Sequence, residues 1–347
     1  MTPSQAPFLT RQEIVGTLME VRKAAVIRAA VELGVFEHLA GEPVDAETVA
    51  RAVGADPRGT RILLCALAAI GVLRGEGGRF TLPPDLVKAL VPAEGNYEYI
   101  GAAVRLTSTD AEWQGLARLA EAVRHGGSVL DIGLENPEAA YLEEWAELAA
   151  GGSDTIALAG RTAEVLRPWT RTRPRLSVLD LACGPGWYGY ALAAANPGSR
   201  VHGVDFPHIL PYAERNARER GIADRVTFTA GDMFEVELGG PYDVALVAGV
   251  LHHFSAGRVR ALLGRLAEAV VPGGRLVISA PVISDSDPAR DPRAHLFSAL
   301  MLVLTREGQV YSLDEYTEML ADHGFGAPEL HSKPGSSIRI LVAERLG

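Results

Sequence analysis

The fold of this chain is decided by residues 176–186, which read Leu176-Ser-Val-Leu-Asp-Leu-Ala-Cys-Gly184-Pro-Gly186. The apolar run up to Leu181 is typical of a strand buried in a parallel sheet. The run stops at the glycines, and residues 187–195 have the pattern of a helix. Because glycine has no Cβ atom, a ligand can approach the backbone closely at such a strand-to-helix turn. The segment therefore predicts a doubly wound α/β domain with a ligand-binding loop at this strand end.

Carboxylates follow the next two predicted strands. Asp205 ends the strand at 200–204, and a carboxylate in this position can accept hydrogen bonds from both hydroxyls of a ribose. The strand at 225–230 is followed by Gly231-Asp232-Met233-Phe234. Asp232 offers an acceptor for an exocyclic amine, and the apolar side chains after it can flank a flat ring. The two strand ends together favour a ligand that contains adenine and ribose.

A dinucleotide site is an alternative interpretation of the same loop. The spacing Gly184-x-Gly186-x-x-Gly189 also fits the dinucleotide-binding pattern, which is weak evidence when it stands alone. In such a site the first glycine usually follows the strand directly, whereas residues 180–183 intervene here. A dinucleotide site also gives no reason for the Gly-Asp-Met-Phe segment. An NAD-dependent oxidoreductase therefore stays open as an alternative.

The motifs at 178–186, 204–206 and 231–234 resemble those of the class I methyltransferases that use S-adenosylmethionine (SAM). The whole chain resembles the bacterial small-molecule O-methyltransferases with an N-terminal winged-helix dimerisation domain. This resemblance implies SAM as the cofactor and a hydroxyl of a small, aromatic secondary metabolite, as in antibiotic biosynthesis, as the methyl acceptor. One departure is Ala182, where the family has its first loop glycine. The cofactor-binding residues implied by the resemblance are Asp180, Ala182, Gly184, Gly186, Asp205, Phe206, Asp232, Met233, Phe234 and Ala248.

A pair of histidines follows the predicted strand at 244–248. Histidine has an ordinary pKa of about 6.5, which suits the removal of a proton from a hydroxyl. The family has its general base in a Leu-His-Asp-Trp segment, and matching this segment to residues 251–254 points to His252, with His253 as the second candidate. Adjacent side chains are expected to diverge, so that only one histidine faces the ligand. Four further residues are candidates for the acceptor wall, namely His295, Phe297, Met301 and Tyr311.

No acidic residue stands at the positions that match the two acids that orient the base in the family, and Asp285, Asp287 and Glu307 are only nearby in sequence. The first falls near residues 255–257, which are Ser-Ala-Gly, and the second falls on Val310. The alternative reactions are therefore C- or N-methylation, or a non-methylating reaction on the same SAM-binding scaffold.

The N-terminal residues predict a winged helix. Residues 11–40 have the apolar periodicity of two helices that pack on other helices, and such a pair often forms a dimer. Helices are predicted at 44–53 and 58–70, with Asp56 as the N-cap and Pro57 as the first helical residue, and a hairpin follows. The sequence offers little evidence for DNA contact, because the second helix has only two basic residues and the first 100 residues carry 10 basic and 12 acidic side chains. A DNA-binding regulator is the non-enzyme alternative.

The rest of the chain predicts alternating strands and helices, and the family resemblance implies that the last two strands form an antiparallel hairpin. The downstream predictions are helices at 208–220, 258–270, 295–304 and 312–323, strands at 242–248, 275–280, 328–331 and 338–343, and a turn at 272–274. We divide the chain into a dimerisation domain (1–95), a helical connector and substrate-pocket segment (96–170) and a SAM-binding domain (171–347).

The composition of the chain limits which ligands and partners we expect. A net charge of −10 argues against nucleic acid as the main ligand. The two cysteines suggest neither a disulfide framework nor a zinc site, and we predict no metal. No apolar run is long enough to span a membrane, and residues 1–13 lack a secretory segment, so we expect a cytoplasmic protein. The expected partners are a small-molecule acceptor and a second copy of the chain.

Overall fold

The computed structural model describes residues 8–93, 96, 98–130, 140–334 and 336–347. The chain divides into two compact units, one formed by Met1–Thr109 with Gly151–Asp154 and the other by Asp110–Ala150 with Thr155–Gly347. Within the described residues no helix is long and apolar enough to cross a membrane. The division into three domains and the cytoplasmic location remain predictions.

The first unit contains a winged helix. Its elements are α1 (Arg11–Glu32), β1 (Val44–Asp45), α2 (Ala46–Val53), α3 (Pro57–Ala69), β2 (Arg74–Glu76), β3 (Arg79–Thr81), α4 (Pro84–Leu90) and α5 (Gly101–Leu106). The predicted N-cap is confirmed, because the Asp56 side chain accepts the Gly59 N–H at 2.8 Å and Pro57 begins α3. The predicted hairpin is also confirmed, since β2 pairs antiparallel with β3.

Two expectations for this unit were wrong. Residues 11–40 contain one long helix rather than two, because α1 ends at Glu32 and the left-handed Gly34 is followed only by a 3-10 turn at Val35–His38. Val44 is not helical, because it pairs with Phe80 of β3 and makes β1 the third strand of the small sheet. The helix starts after Asp45, whose side chain accepts the Thr48 N–H at 2.8 Å.

The second unit is a doubly wound α/β domain preceded by helices, as predicted. Its helices are α6 (Asp110–Ala117), α7 (Leu119–His125), α8 (Ala140–Gly151), α9 (Ser153–Thr170), α10 (Trp187–Ala195), α11 (Leu210–Glu219), α12 (Ala256–Ala269), α13 (Pro292–Leu304) and α14 (Leu313–Asp322). Its strands are β4 (Ser177–Leu181), β5 (Arg200–Asp205), β6 (Val226–Ala230), β7 (Tyr242–Ala248), β8 (Val270–Pro281), β9 (Glu329–His331) and β10 (Ile338–Glu344).

The seven strands lie in the order β6-β5-β4-β7-β8-β10-β9. Strands β4 to β8 are parallel, and β10 runs antiparallel to both β8 and β9, which confirms the C-terminal hairpin. The predicted turn at 272–274 was wrong, because these residues lie inside β8, where Gly273 has a φ of +78° and the strand pairing is irregular.

Strand β4 is central because both of its faces are covered. Leu179 and Leu181 belong to the core on one side of the sheet, and Val178 belongs to the core on the other side. The next strands in the sheet on either side of β4 are β5 and β7, which come later in the chain. The strand order reverses at this point, so the carboxyl ends of β4, β5 and β7 border a crevice of the kind that binds ligands in such folds.

Candidate active site

A carboxylate stands at the reversal point and is tied to the glycine loop. The Gly184 N–H donates to Asp205 Oδ2 at 2.7 Å, and the Phe206 N–H donates to Asp205 Oδ1 at 2.8 Å. Each oxygen keeps a further lone pair for a ligand. Burial raises the pKa of Asp205 to about 6, although the N–H groups of Gly184 and Phe206 and the charge of His208 act in the opposite direction.

The loop after β4 has a left-handed backbone conformation at both of its glycines. Gly184 and Gly186 have φ values of +52° and +84°, and Ala182, the departure from the family pattern, is also left-handed at +53°. A Cβ atom at Gly184 would lie 3.4 Å from the Trp145 indole, so α8 covers the loop. Trp145 is one of several aromatic residues in the connector, and nothing in the local sequence pattern relates it to residue 184, so the contact was not predicted.

Asp180 lies beneath this loop. Its side chain is 2% exposed, and its Oδ2 accepts the Gly189 N–H at 2.8 Å. Burial raises its pKa to about 7, and the Gly189 hydrogen bond only partly offsets that effect. Asp180 therefore connects the end of β4 to the first turn of α10 and holds the loop between them.

The residues after β6 form an aromatic corner. Asp232 Oδ1 accepts the Phe234 N–H at 2.8 Å. The Phe234 ring is half-buried and makes an edge contact with Phe254 at 4.8 Å between ring centres. Met233 is 7% exposed and packs in the core of the unit. Arg258, which the sequence analysis missed, lies over the Phe234 ring, with its guanidinium carbon 4.0 Å from the ring centre.

Phe206 and Ala248 occupy neighbouring strand ends. Phe206 follows β5 and stacks on His208, with the ring centres 5.9 Å apart and the planes nearly parallel. Ala248 ends β7 and is half-buried. Gly249 comes next with a φ of +69°, and a Cβ atom added there would meet none of the described atoms within 4 Å. The edge of the sheet is thus open beside Ala248.

The two histidines lie in a 3-10 turn at Leu251–His253, and their rings contact each other at a tilt of 38°. Their ring centres are 4.4 Å apart, so the expectation that the side chains diverge was wrong. Successive side chains are rotated by half a turn from each other along a strand but by only a third of a turn in a 3-10 helix. The two rings can therefore pack against each other. The rings of His252 and Phe297 also meet edge to face at 5.3 Å.

Burial keeps both histidines neutral. His252 is 4% exposed and His253 is 8% exposed. Burial lowers the pKa of His252 well below its ordinary value, with a smaller effect from His253, and burial lowers the pKa of His253 to about 4. The His252 Nδ1 atom is buried and has no hydrogen-bond partner among the described residues. Only Nε2 is then left to meet a ligand.

Helix α13 is fixed next to the histidine turn by two contacts. A Cβ atom at Gly308, in the loop after α13, would lie 2.5 Å from the His252 carbonyl oxygen, so the two backbones touch. At the other end, the Arg339 Nη2 atom pairs with Asp291 Oδ2 at 2.8 Å, and both side chains are buried. The Ser284 N–H and hydroxyl donate to the same Asp291 oxygen at 3.0 and 3.1 Å.

The candidate acceptor-wall residues have different positions. Phe297 lies against His252, and His295 is half-buried on the same helix. Met301 is 1% exposed in the cluster behind α13, and Tyr311 is 0% exposed and donates its hydroxyl to the Phe254 carbonyl at 2.5 Å. Among the described residues no group of three or more metal-ligating side chains is present.

Comparison with known proteins identifies both units. Residues 117–326 match the O-methyltransferase domain, and residues 17–84 match the O-methyltransferase dimerisation domain. The tetracenomycin polyketide synthesis 8-O-methyl transferase of Streptomyces glaucescens is 31% identical over 86% of this chain and 86% of its own. The L-tyrosine C(3)-methyltransferase of Streptomyces lavendulae is 28% identical over 86% of this chain and 82% of its own. The structure of a mitomycin 7-O-methyltransferase superposes with a TM-score of 0.80 at 27% identity, covering 96% of this chain and 97% of that one.

Proposed function

Since the chain belongs to the O-methyltransferase family with an N-terminal dimerisation domain, we propose that it transfers the methyl group of SAM to the hydroxyl of a small aromatic acceptor. The observation that carries this proposal is the Asp205 carboxylate, which is held by the Gly184 N–H at the point where the strand order reverses. The family match sets aside the NAD-dependent oxidoreductase and the DNA-binding regulator.

The residues around the reversal point fit SAM. Asp205 keeps lone pairs for the ribose hydroxyls, and the half-buried Asp232 and Phe234 suit an adenine ring. Asp180, Ala182, Gly184 and Gly186 form the loop that would face the methionine part, and Phe206, Met233 and Ala248 complete the cofactor set. When bound, SAM supplies an electrophilic methyl group on a sulfonium sulfur. The protein then has to align the acceptor and take its proton.

His252 is the residue that takes this proton. Its Nδ1 atom is buried and has no hydrogen-bond partner among the described residues, so the acceptor hydroxyl would meet Nε2. This role requires the neutral ring to carry its own proton on Nδ1. The His253 ring contacts the His252 ring and disfavours a positive charge there. A base with a lowered pKa is a weak base, and it deprotonates an acidic hydroxyl more readily than an alkyl alcohol. This argument favours a phenol as the acceptor.

A second copy of the chain completes the proposed assembly. Helix α1 has several large apolar side chains that are exposed to solvent, among them Leu18 (70% exposed) and Val21 (60% exposed). Patches of this kind mark interaction surfaces, and this one lies within or next to the region that matches the dimerisation domain. We assign α1 to a homodimer interface.

C-methylation is the second candidate reaction. No carboxylate among the described residues hydrogen-bonds to His252, and one relative is an L-tyrosine C(3)-methyltransferase. Incubation with SAM and a panel of phenols, followed by mass spectrometry and NMR of the products, distinguishes an O-methyl from a C-methyl product. Calorimetric titration with SAM tests the cofactor site, and Asp205→Ala should remove the binding. Binding of SAM that is equally tight in Asp205→Ala would contradict the proposed site.

A further inference from the structure

Arg258 lies in the first turn of α12, beside the proposed adenine subsite. Its guanidinium carbon is 4.0 Å from the centre of the Phe234 ring and 5.0 Å from the centre of the Phe254 ring. Its Nη2 atom is 4.0 Å from Asp232 Oδ2. The side chains of Arg258 and Asp232 are 43% and 34% exposed, so the pair is open to a ligand rather than enclosed by the protein.

The two oxygens of Asp232 have different surroundings. Oδ1 accepts the Phe234 N–H, which fixes the orientation of the carboxylate. Oδ2 is the oxygen that faces the guanidinium of Arg258. A fixed hydrogen-bond acceptor and a planar group with several donors thus stand side by side at the rim of the aromatic corner.

Adenine has the complementary arrangement along its edge. Its exocyclic amine is a donor, and the ring nitrogens on either side of that amine, N1 and N7, are acceptors. An Asp–Arg pair can therefore bind the amine through the carboxylate and a ring nitrogen through the guanidinium. A 6-oxopurine has a carbonyl oxygen in place of the amine, and this oxygen would face the Asp232 carboxylate without a proton between them.

We propose that Arg258 is a second adenine-recognition residue, which donates a hydrogen bond to a ring nitrogen next to the amine that Asp232 accepts. This inference rests on the proposed function, because it requires a cofactor that contains adenine. It adds a specificity-determining side chain to the subsite for which we propose the Asp232 carboxylate and the Phe234 ring. The guanidinium is held at the rim by its contact with Phe234, so little side-chain freedom remains to be lost on binding.

The test is calorimetric titration with S-adenosylhomocysteine (SAH) and with its 1-deaza and 7-deaza analogues, each of which lacks one ring nitrogen. The variants are Arg258→Ala and Arg258→Met, and the second keeps an apolar stem on Phe234 without the donors. Arg260→Ala is the matched control, because Arg260 lies on the same helix but pairs with Glu318 and Asp322. Thermal unfolding of each variant checks that the fold is kept.

We expect both Arg258 variants to bind SAH about tenfold more weakly, and Arg260→Ala to bind it within about twofold of the wild type. The wild type should bind one of the two deaza analogues about tenfold more weakly than SAH, and Arg258→Ala should not change the affinity for that analogue. Equal affinity of the wild type and Arg258→Ala for SAH would overturn the inference, as would an equal loss for SAH and both analogues. A wild-type chain that binds no SAH would instead overturn the proposed function.

Discussion

The ionisation of Asp205 makes cofactor binding depend on pH. Its pKa is raised to about 6 by burial, and ribose hydroxyls bind to the ionised form. At pH 7.5 nearly all of Asp205 is ionised, whereas at pH 5 only about one molecule in ten is. We therefore expect the affinity for SAH to fall about tenfold, or about 1.4 kcal/mol, between pH 7.5 and pH 5.

The assay is calorimetric titration at several pH values, with 5′-methylthioadenosine as a second ligand that lacks the amino and carboxyl groups of SAH. Asp205→Asn should bind both ligands weakly, and its affinity should not show this pH dependence. Asp180→Asn is the control, because Asp180 titrates nearby with a pKa of about 7 but is assigned to the loop. An affinity that is constant with pH in the wild type, or one that keeps the same slope in Asp205→Asn, would refute the reasoning.

Three further predictions concern catalysis, assembly and stability. His252→Gln should lower kcat by about 10²-fold or more while its affinity for SAH stays within about twofold of the wild type. His253→Gln should lower kcat by less than about tenfold, and equal losses of kcat in the two variants would contradict the assignment of the base. Leu18→Glu should convert the dimer to a monomer in sedimentation velocity. Leu296 is equally exposed at 71%, and Leu296→Glu should remain a dimer. If both variants remained dimers, α1 would be excluded as the interface. Arg339→Met should lower the free energy of unfolding by about 3 kcal/mol, because it leaves the Asp291 carboxylate buried and unpaired, and addition of Asp291→Asn should recover part of that loss in urea denaturation.

Much of the α/β domain could be predicted because its signals are local. The strand at 176–181, the glycine turn and the acids at 205 and 232 each follow from a short apolar run and the residue that ends it. The C-terminal hairpin came from the family resemblance, and the structure confirms it.

Contacts between distant segments could not be predicted from local patterns. Trp145 meets Gly184, Gly308 meets His252, and Arg339 pairs with Asp291 only because the sheet brings these segments together. The histidine pair shows a different limit. The type of residue was enough to nominate His252 and His253, but the distance between their rings depends on a 3-10 turn that the sequence analysis did not foresee.

The contact between Gly308 and the histidine turn has a consequence for engineering. Any side chain at 308 would push on the His252 carbonyl, so this position tolerates no change that leaves the turn in place. Phe297 on α13 meets the same turn through the His252 ring. A library meant to broaden the range of acceptors should therefore keep residue 308 constant and randomise the exposed and half-buried positions of α13.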